Sequence, residues 1–301
     1  MTTEIIHRDA TKLTVRTFID LCCGTGALGL RLATGTEVKP LTPYMGWKKN
    51  LAQPILDAVG VKPLATRLIF NDLGPWGAVW QVLGRKERRA GVMSRLRSFC
   101  QEEPRPLYEK LKAEPVPLNP VEFAARFLTL QRWAYGAKPV QHKGGRWLLP
   151  GYCKASADGV AKRHNYGKVK PQLPSLTKIL EGYTALPVIQ ASREDARTFS
   201  PAVEEGSLVY LDPNYRGRTG YTDALSRQDV VMLALRWAKR GCTVVVSEGE
   251  PLEELKGWET ADLTARRGQV HKNFARDREE WITFWRSSHP FGVNLGALGR
   301  L

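Results

Sequence analysis

The chain predicts an α/β fold, a mostly parallel sheet with helices on both faces. Three observations carry that expectation. Short apolar runs alternate with helical patterns towards both ends of the chain, a glycine-rich turn joins the first run to the first helix, and runs close on acidic residues. Thr17-Phe18-Ile19-Asp20-Leu21 reads as the first strand and Cys22-Cys23-Gly24-Thr25-Gly26-Ala27-Leu28-Gly29 as the turn, with Leu28, Leu30 and Leu32 in the helix that follows. Gly24, Gly26 and Gly29 meet the spacing G-x-G-x-x-G, which lets backbone and helix N-terminus approach a ligand closely and also serves plain turns.

A second strand covers residues 67–72 and ends on Asp72. In doubly wound sheets an acid there commonly binds the ribose hydroxyls of an adenosine-containing cofactor. Between the two strands lies Pro43-Tyr44-Met45-Gly46-Trp47-Lys48-Lys49-Asn50, then an amphipathic helix through Leu51, Ile55, Leu56 and Val59. Strands resume at Leu208-Val209-Tyr210-Leu211, and a helix is expected over residues 226–239. Further strands are expected over residues 242–247 and 281–285.

The centre differs in character. Residues 85–98 hold six Lys/Arg and one Glu, a proline-rich stretch follows to Pro120, and Asn119-Pro120-Val121-Glu122 reads as a helix start with Asn as N-cap, Pro at N1 and Glu at N3. Residues 126–170 carry ten Lys/Arg against one acid, Asp158, interleaved with Trp133, Tyr135, Trp147, Tyr152 and Tyr166. Each aromatic alone suits a core and each cation a solvated face. Together they suit a nucleic-acid-binding insertion. The expected division is therefore residues 1–84 and 186–301 for a ligand-binding core, with 85–185 inserted.

At 301 residues and a formal charge of +15, the chain is large enough to bury a sizeable core and attracts polyanions, of which nucleic acid is the commonest. An acidic membrane surface or a ribosome would answer to the same charge. Five cysteines without C-x-x-C spacing suit reduced thiols, and the five scattered histidines suggest no metal site. With no apolar run near the ~20 residues that span a bilayer, the expectation is no membrane partner and an intracellular, cytoplasmic protein.

Asp212-Pro213-Asn214-Tyr215 closes the run 208–211. Asp-Pro and Asn are ordinary turn formers. A strand that delivers an acid, a rigid proline and an aromatic into one crevice also suits chemistry on an amine attached to a flat ring. The Asp212 carboxylate and the Pro213 carbonyl would accept its N–H groups, and the Tyr215 ring would stack on the ring bearing it. Acceptors that draw such an amine towards tetrahedral geometry localise its lone pair, and they act hardest in the transition state.

With these pieces placed, the chain resembles the Dam-type DNA adenine-N6 methyltransferases. Asp212-Pro213-Asn214-Tyr215 is similar to their Asp-Pro-Pro-Tyr motif, residues 18–26 to their glycine-rich cofactor loop, and Asp72 to their second-strand acid. The segment 43–48 resembles their proline-aromatic-glycine-lysine motif, Arg193-Glu194-Asp195 their acid near the cofactor adenine, and Leu130-Gln131-Arg132-Trp133 a helix of their recognition region. Two departures stand out: the lysine segment follows the glycine loop here instead of preceding it, and Asn214 replaces the second proline of the motif.

The resemblance implies a Rossmann-like methyltransferase core with an inserted target-recognition region. It implies S-adenosyl-L-methionine as cofactor, held by Phe18, Asp20, Cys22, Gly24, Gly26, Tyr44, Lys48, Asp72 and Asp195. Duplex DNA is the implied partner, met by Arg132, Lys143, Arg146 and Lys154. Catalysis falls to Asp212, Pro213, Asn214 and Tyr215 on a flipped adenine. Cytosine N4, an RNA adenine, and a catalytically silent nucleic-acid-binding module remain open alternatives.

Overall fold

The computed structural model describes residues 13–33, 38–42, 48, 50–62, 65–152, 172–213, 224–267 and 279–287. Tyr44, Lys154, Asn214 and Tyr215 lie outside the described residues. The strands of the main sheet are β1 (Thr17–Asp20), β2 (Arg67–Asn71), β3 (Val188–Ser192), β4 (Leu208–Leu211), β5 (Thr243–Glu248), β6 (Glu259–Asp262) and β7 (Trp281–Trp285). They lie in the order β3-β2-β1-β4-β5-β7-β6. The first five are parallel neighbours, while β7 pairs antiparallel with both β5 and β6.

The order 3-2-1-4-5 is that of a doubly wound nucleotide-binding sheet, and it reverses between β1 and β4. The molecule is thus mixed α/β with a mostly parallel sheet, compatible with a Rossmann-like fold. Strands β1, β4 and β5 are buried along their whole length, as parallel strands covered on both faces must be. Period-two alternation sorts their side chains. Phe18, Phe70, Tyr210 and Val245 face one core, and Ile19, Ile69, Val209, Val244 and Val246 face the other. Each fully buried side chain of this kind contributes ~1.5–3 kcal/mol.

Helix α1 (Ala27–Leu32) follows the glycine turn, and α2 (Ala52–Val59) buries Ala52, Ile55, Leu56 and Val59 on one stripe. Helix α3 (Pro75–Leu83) starts on a proline. The inserted region contributes α4 (Lys86–Phe99), α5 (Pro104–Ala113), α6 (Pro120–Trp133), a hairpin of Gln141–Lys143 with Arg146–Leu148, and α7 (Gln172–Gly182). The Asn119 Oδ1 accepts from the amides of Val121 and Glu122, as the sequence of α6 leads one to expect. On the far face, α8 (Arg227–Lys239) begins with a capping box of Ser226 and Asp229 and buries Val230, Leu233 and Trp237.

The insertion and the sheet share one hydrophobic core. Trp80 of α3 meets Phe70 of β2 edge-on at 4.7 Å and lies parallel to Tyr183, at the end of the insertion, at 6.2 Å. Trp76 meets Phe127 of α6 at 5.2 Å. Much of the insertion's charge is spent internally. Arg95 and Arg126 both bind Glu122, Arg97 binds Glu181, and Arg89 is buried with its guanidinium on the carbonyls of Leu83 and Tyr183.

Candidate active site at the carboxyl edge

The carboxyl ends of the parallel strands form one acidic edge. β1 ends on Asp20, β2 is followed by Asp72, β4 by Asp212, and β5 ends on Glu248. Because β7 runs antiparallel, the residue before it, Glu280, comes to the same edge, one step beyond the Trp281–Glu248 pair. Asp20 and Asp212 leave adjacent strands where the order reverses, the crevice in which open α/β sheets bind ligands.

Lys48 stands among these acids. Its carbonyl accepts from the amides of Leu51 and Ala52, which anchors the residue at the start of α2. Its ammonium lies 2.9 Å from Asp212 Oδ1 and 3.3 Å from Glu280 Oε1. Lys48 is 5% exposed and Glu280 fully buried, whereas Asp212 keeps 19% of its side chain open. Pro213 is buried beside it.

The crowding of carboxylates shows in their acidity. Burial, then the Asp212 charge, pushes the Asp20 carboxyl well above the usual carboxylate range. Burial raises Glu248 to about 7, again with Asp212 contributing. Burial and the neighbouring acids Asp72 and Asp20 push the Cys22 and Cys23 thiols well above the usual thiol range.

The glycine turn is clamped from both sides. Asp72 Oδ2 accepts from the Gly24 amide at 3.0 Å, Asp72 Oδ1 accepts from Gly74 at 2.9 Å, and Trp80 Nε1 donates to the Gly24 carbonyl at 2.8 Å. Both Asp72 oxygens thus hold backbone, a use that ribose binding would have to share. Gly26 is left-handed with φ 66°, and a Cβ there would stand 2.8 Å from Trp80 and 2.9 Å from Phe70. Asn71, buried at the end of β2, donates to the carbonyls of Leu21 and Glu194 and accepts from the Glu194 amide, tying the loops after β1 and β3 together.

Other residues singled out from sequence have other surroundings. Phe18 is wholly buried under the sheet. Asp195 is engaged by Arg197, at 2.5 Å from Nη2, which holds its carboxyl below the usual range. Arg132 turns inward to the Leu41 carbonyl and Ser175 Oγ, and burial lowers it to about 10. Lys143 and Arg146 are exposed and flank the hairpin turn Gly144-Gly145, where both φ angles are positive, as a tight two-residue turn of this hand requires. His142, in the same hairpin, packs edge-on against Phe123 and Trp147 and feels the charge of Arg193, which follows β3. The hairpin turn is tied to the insertion, where the Val116 amide donates to the Gly145 carbonyl at 2.8 Å.

Three site residues escaped sequence reasoning: Asn71, Glu248 and Glu280. Glu248 carries the signal that marks Asp20 and Asp212, an acid closing an apolar run. Glu280 precedes its strand, and nothing in the local sequence shows that the strand runs backwards.

Among the described residues no group of His, Cys, Asp and Glu is arranged to hold a metal ion, and no helix is long and apolar enough to cross a membrane. No family model matches the chain, and no curated protein matches it.

Proposed function

We propose that this chain is a SAM-dependent methyltransferase that methylates the exocyclic amine of adenine, at N6, in DNA. The observation that carries the reading is the end of β4. Asp212 is partly open, sits at the order reversal beside Asp20, and is held by the buried Lys48.

The residues present suit a cationic adenosyl donor. The edge gathers Asp20, Asp72, Asp212, Glu248 and Glu280, of which Asp212 and Glu280 hold the Lys48 ammonium. Asp20 and the turn from Cys22 to Gly26 would hold the methionine moiety. Asp72 reaches the ribose only with lone pairs left by Gly24 and Gly74. Bound there, S-adenosylmethionine supplies a methyl group already activated by its sulfonium, so positioning and electrostatics provide the rest. Asp212 and the Pro213 carbonyl accept the two N–H groups of the target amine. Lys48 holds the Asp212 carboxylate in place while it does so. The exposed cations Lys143 and Arg146 support a polyanionic substrate over a small one.

Incubation with methyl-labelled SAM and duplex DNA, single-stranded DNA or RNA, followed by nucleoside analysis, tests the reading. The expected product is N6-methyladenine from duplex DNA. Asp212→Asn should abolish most single-turnover transfer and leave SAM affinity nearly intact. N4-methylcytosine alone would overturn the base, label only on RNA the substrate class, and no label with tight nucleic-acid binding the reaction itself.

A further inference from the structure

We infer that Glu280 is a positioning residue of this site, acting through Lys48 on Asp212. It sits immediately before β7, whose antiparallel course brings its carboxylate to the carboxyl edge of the parallel strands. Its backbone is fixed on both sides, with the Glu280 amide donating to Thr264 Oγ1 at 3.0 Å and its carbonyl accepting from Leu263 at 2.7 Å. Its side chain is fully buried, so it touches no substrate, yet Oε1 lies 3.3 Å from the Lys48 ammonium.

Lys48 thereby has two carboxylate seats. Asp212 holds it at 2.9 Å on the open side and Glu280 at 3.3 Å on the closed side. A lysine tethered by Asp212 alone would swing with that carboxylate and compete with the target amine for its oxygens. Glu280 gives the ammonium a seat in the wall, so Asp212 can turn an oxygen to the amine while its counter-charge stays in place. A second carboxylate narrows the rotamers open to the long, flexible lysine stem.

The kinetic part of this inference rests on the proposed methyl transfer; the structural part does not. Both are tested with Glu280→Gln, Lys48→Met and the double variant. Heteronuclear NMR of the lysine ammonium groups, with the Lys48 signal identified by its loss in Lys48→Met, should show a slowly exchanging signal in the wild type. Glu280→Gln should speed its exchange or erase it. Single-turnover transfer by Glu280→Gln should fall by up to about 100-fold, the scale of a small misplacement of a reacting group. KM for SAM should stay put, and the double variant should be no slower than Lys48→Met.

An unchanged Lys48 signal, a wild-type rate in Glu280→Gln, or losses that multiply in the double variant would each overturn the inference. Should Glu280→Gln not fold, Glu280→Asp, which keeps the charge but withdraws it by one methylene, must show the same faster exchange; unchanged exchange sinks the idea. If the wild type methylates no nucleic acid, the proposed reaction fails while the NMR arm still decides the tether.

Discussion

Gly26 concentrates two constraints in one residue: a left-handed backbone and a ring cage of Trp80 and Phe70. Gly26→Ala should therefore cost more than the ~1–2 kcal/mol of a left-handed L-residue, read as a lowered denaturant midpoint. A midpoint equal to wild type would show that the turn re-forms around the new methyl. Glu248 offers a different handle. Its carboxyl is raised from 4.5 to about 7 in the folded chain, so the folded state binds the proton more tightly than the unfolded one. The resulting stability is fully present below pH ~4.5 and is lost as pH rises through ~7, by up to ~3 kcal/mol. Glu248→Gln should raise the melting temperature at pH 8 and flatten its dependence between pH 5 and 8. A variant that melts as wild type does at every pH would remove Glu248 from that dependence.

The elements meet through backbone clamps that no single element contains. The turn between β1 and α1 is held by Asp72 from the loop after β2 and by Trp80 from α3. Asp72→Asn leaves only one acceptor oxygen for two amides and turns an NH2 group towards one of them. It should destabilise the protein by ~1–3 kcal/mol even without ligand. Chemical denaturation with and without SAM separates the two roles, because a residue that only bound ribose would leave the ligand-free stability unchanged. The caps follow simpler rules. Asn119 was legible because a cap bonds to amides two or three residues ahead, whereas the sequence reading placed Ser226, the cap of α8, inside its helix. β3 was not legible: it is a sheet edge with Val188 75% exposed, and Gln190 and Ala191 blunt its β pattern.

In the whole molecule, acids concentrate at one edge of the sheet. A chain of net charge +15 gathers Asp20, Asp72, Asp212, Glu248 and Glu280 along one sheet edge, while Lys143 and Arg146 stand exposed at the hairpin turn. A positive long-range field favours the proposed polyanionic substrate, and the local acids favour the proposed cationic cofactor. Lys143→Glu combined with Arg146→Glu should weaken duplex DNA binding. It should also make the plot of log affinity against log salt shallower, by roughly 0.9 for each phosphate that is no longer neutralised. An unchanged slope would move the nucleic acid to another surface. Composition overstated this surface, because Arg95, Arg97, Arg126 and Arg132 are engaged within the insertion.

What was readable along the chain was local. The buried strands β1, β2, β4 and β5, the glycine turn, the Asn119 cap and the acid after β4 each announce themselves within a few residues, through period, propensity or a single cap. What folding alone settled depends on direction and distance: that β7 runs antiparallel and brings Glu280 to the edge, that Lys48 reaches Asp212 from a segment 164 residues earlier, that Asp72 holds amides, and that the insertion shares the core of the sheet. Those facts follow from register and packing between distant segments, for which a one-dimensional pattern carries no signal.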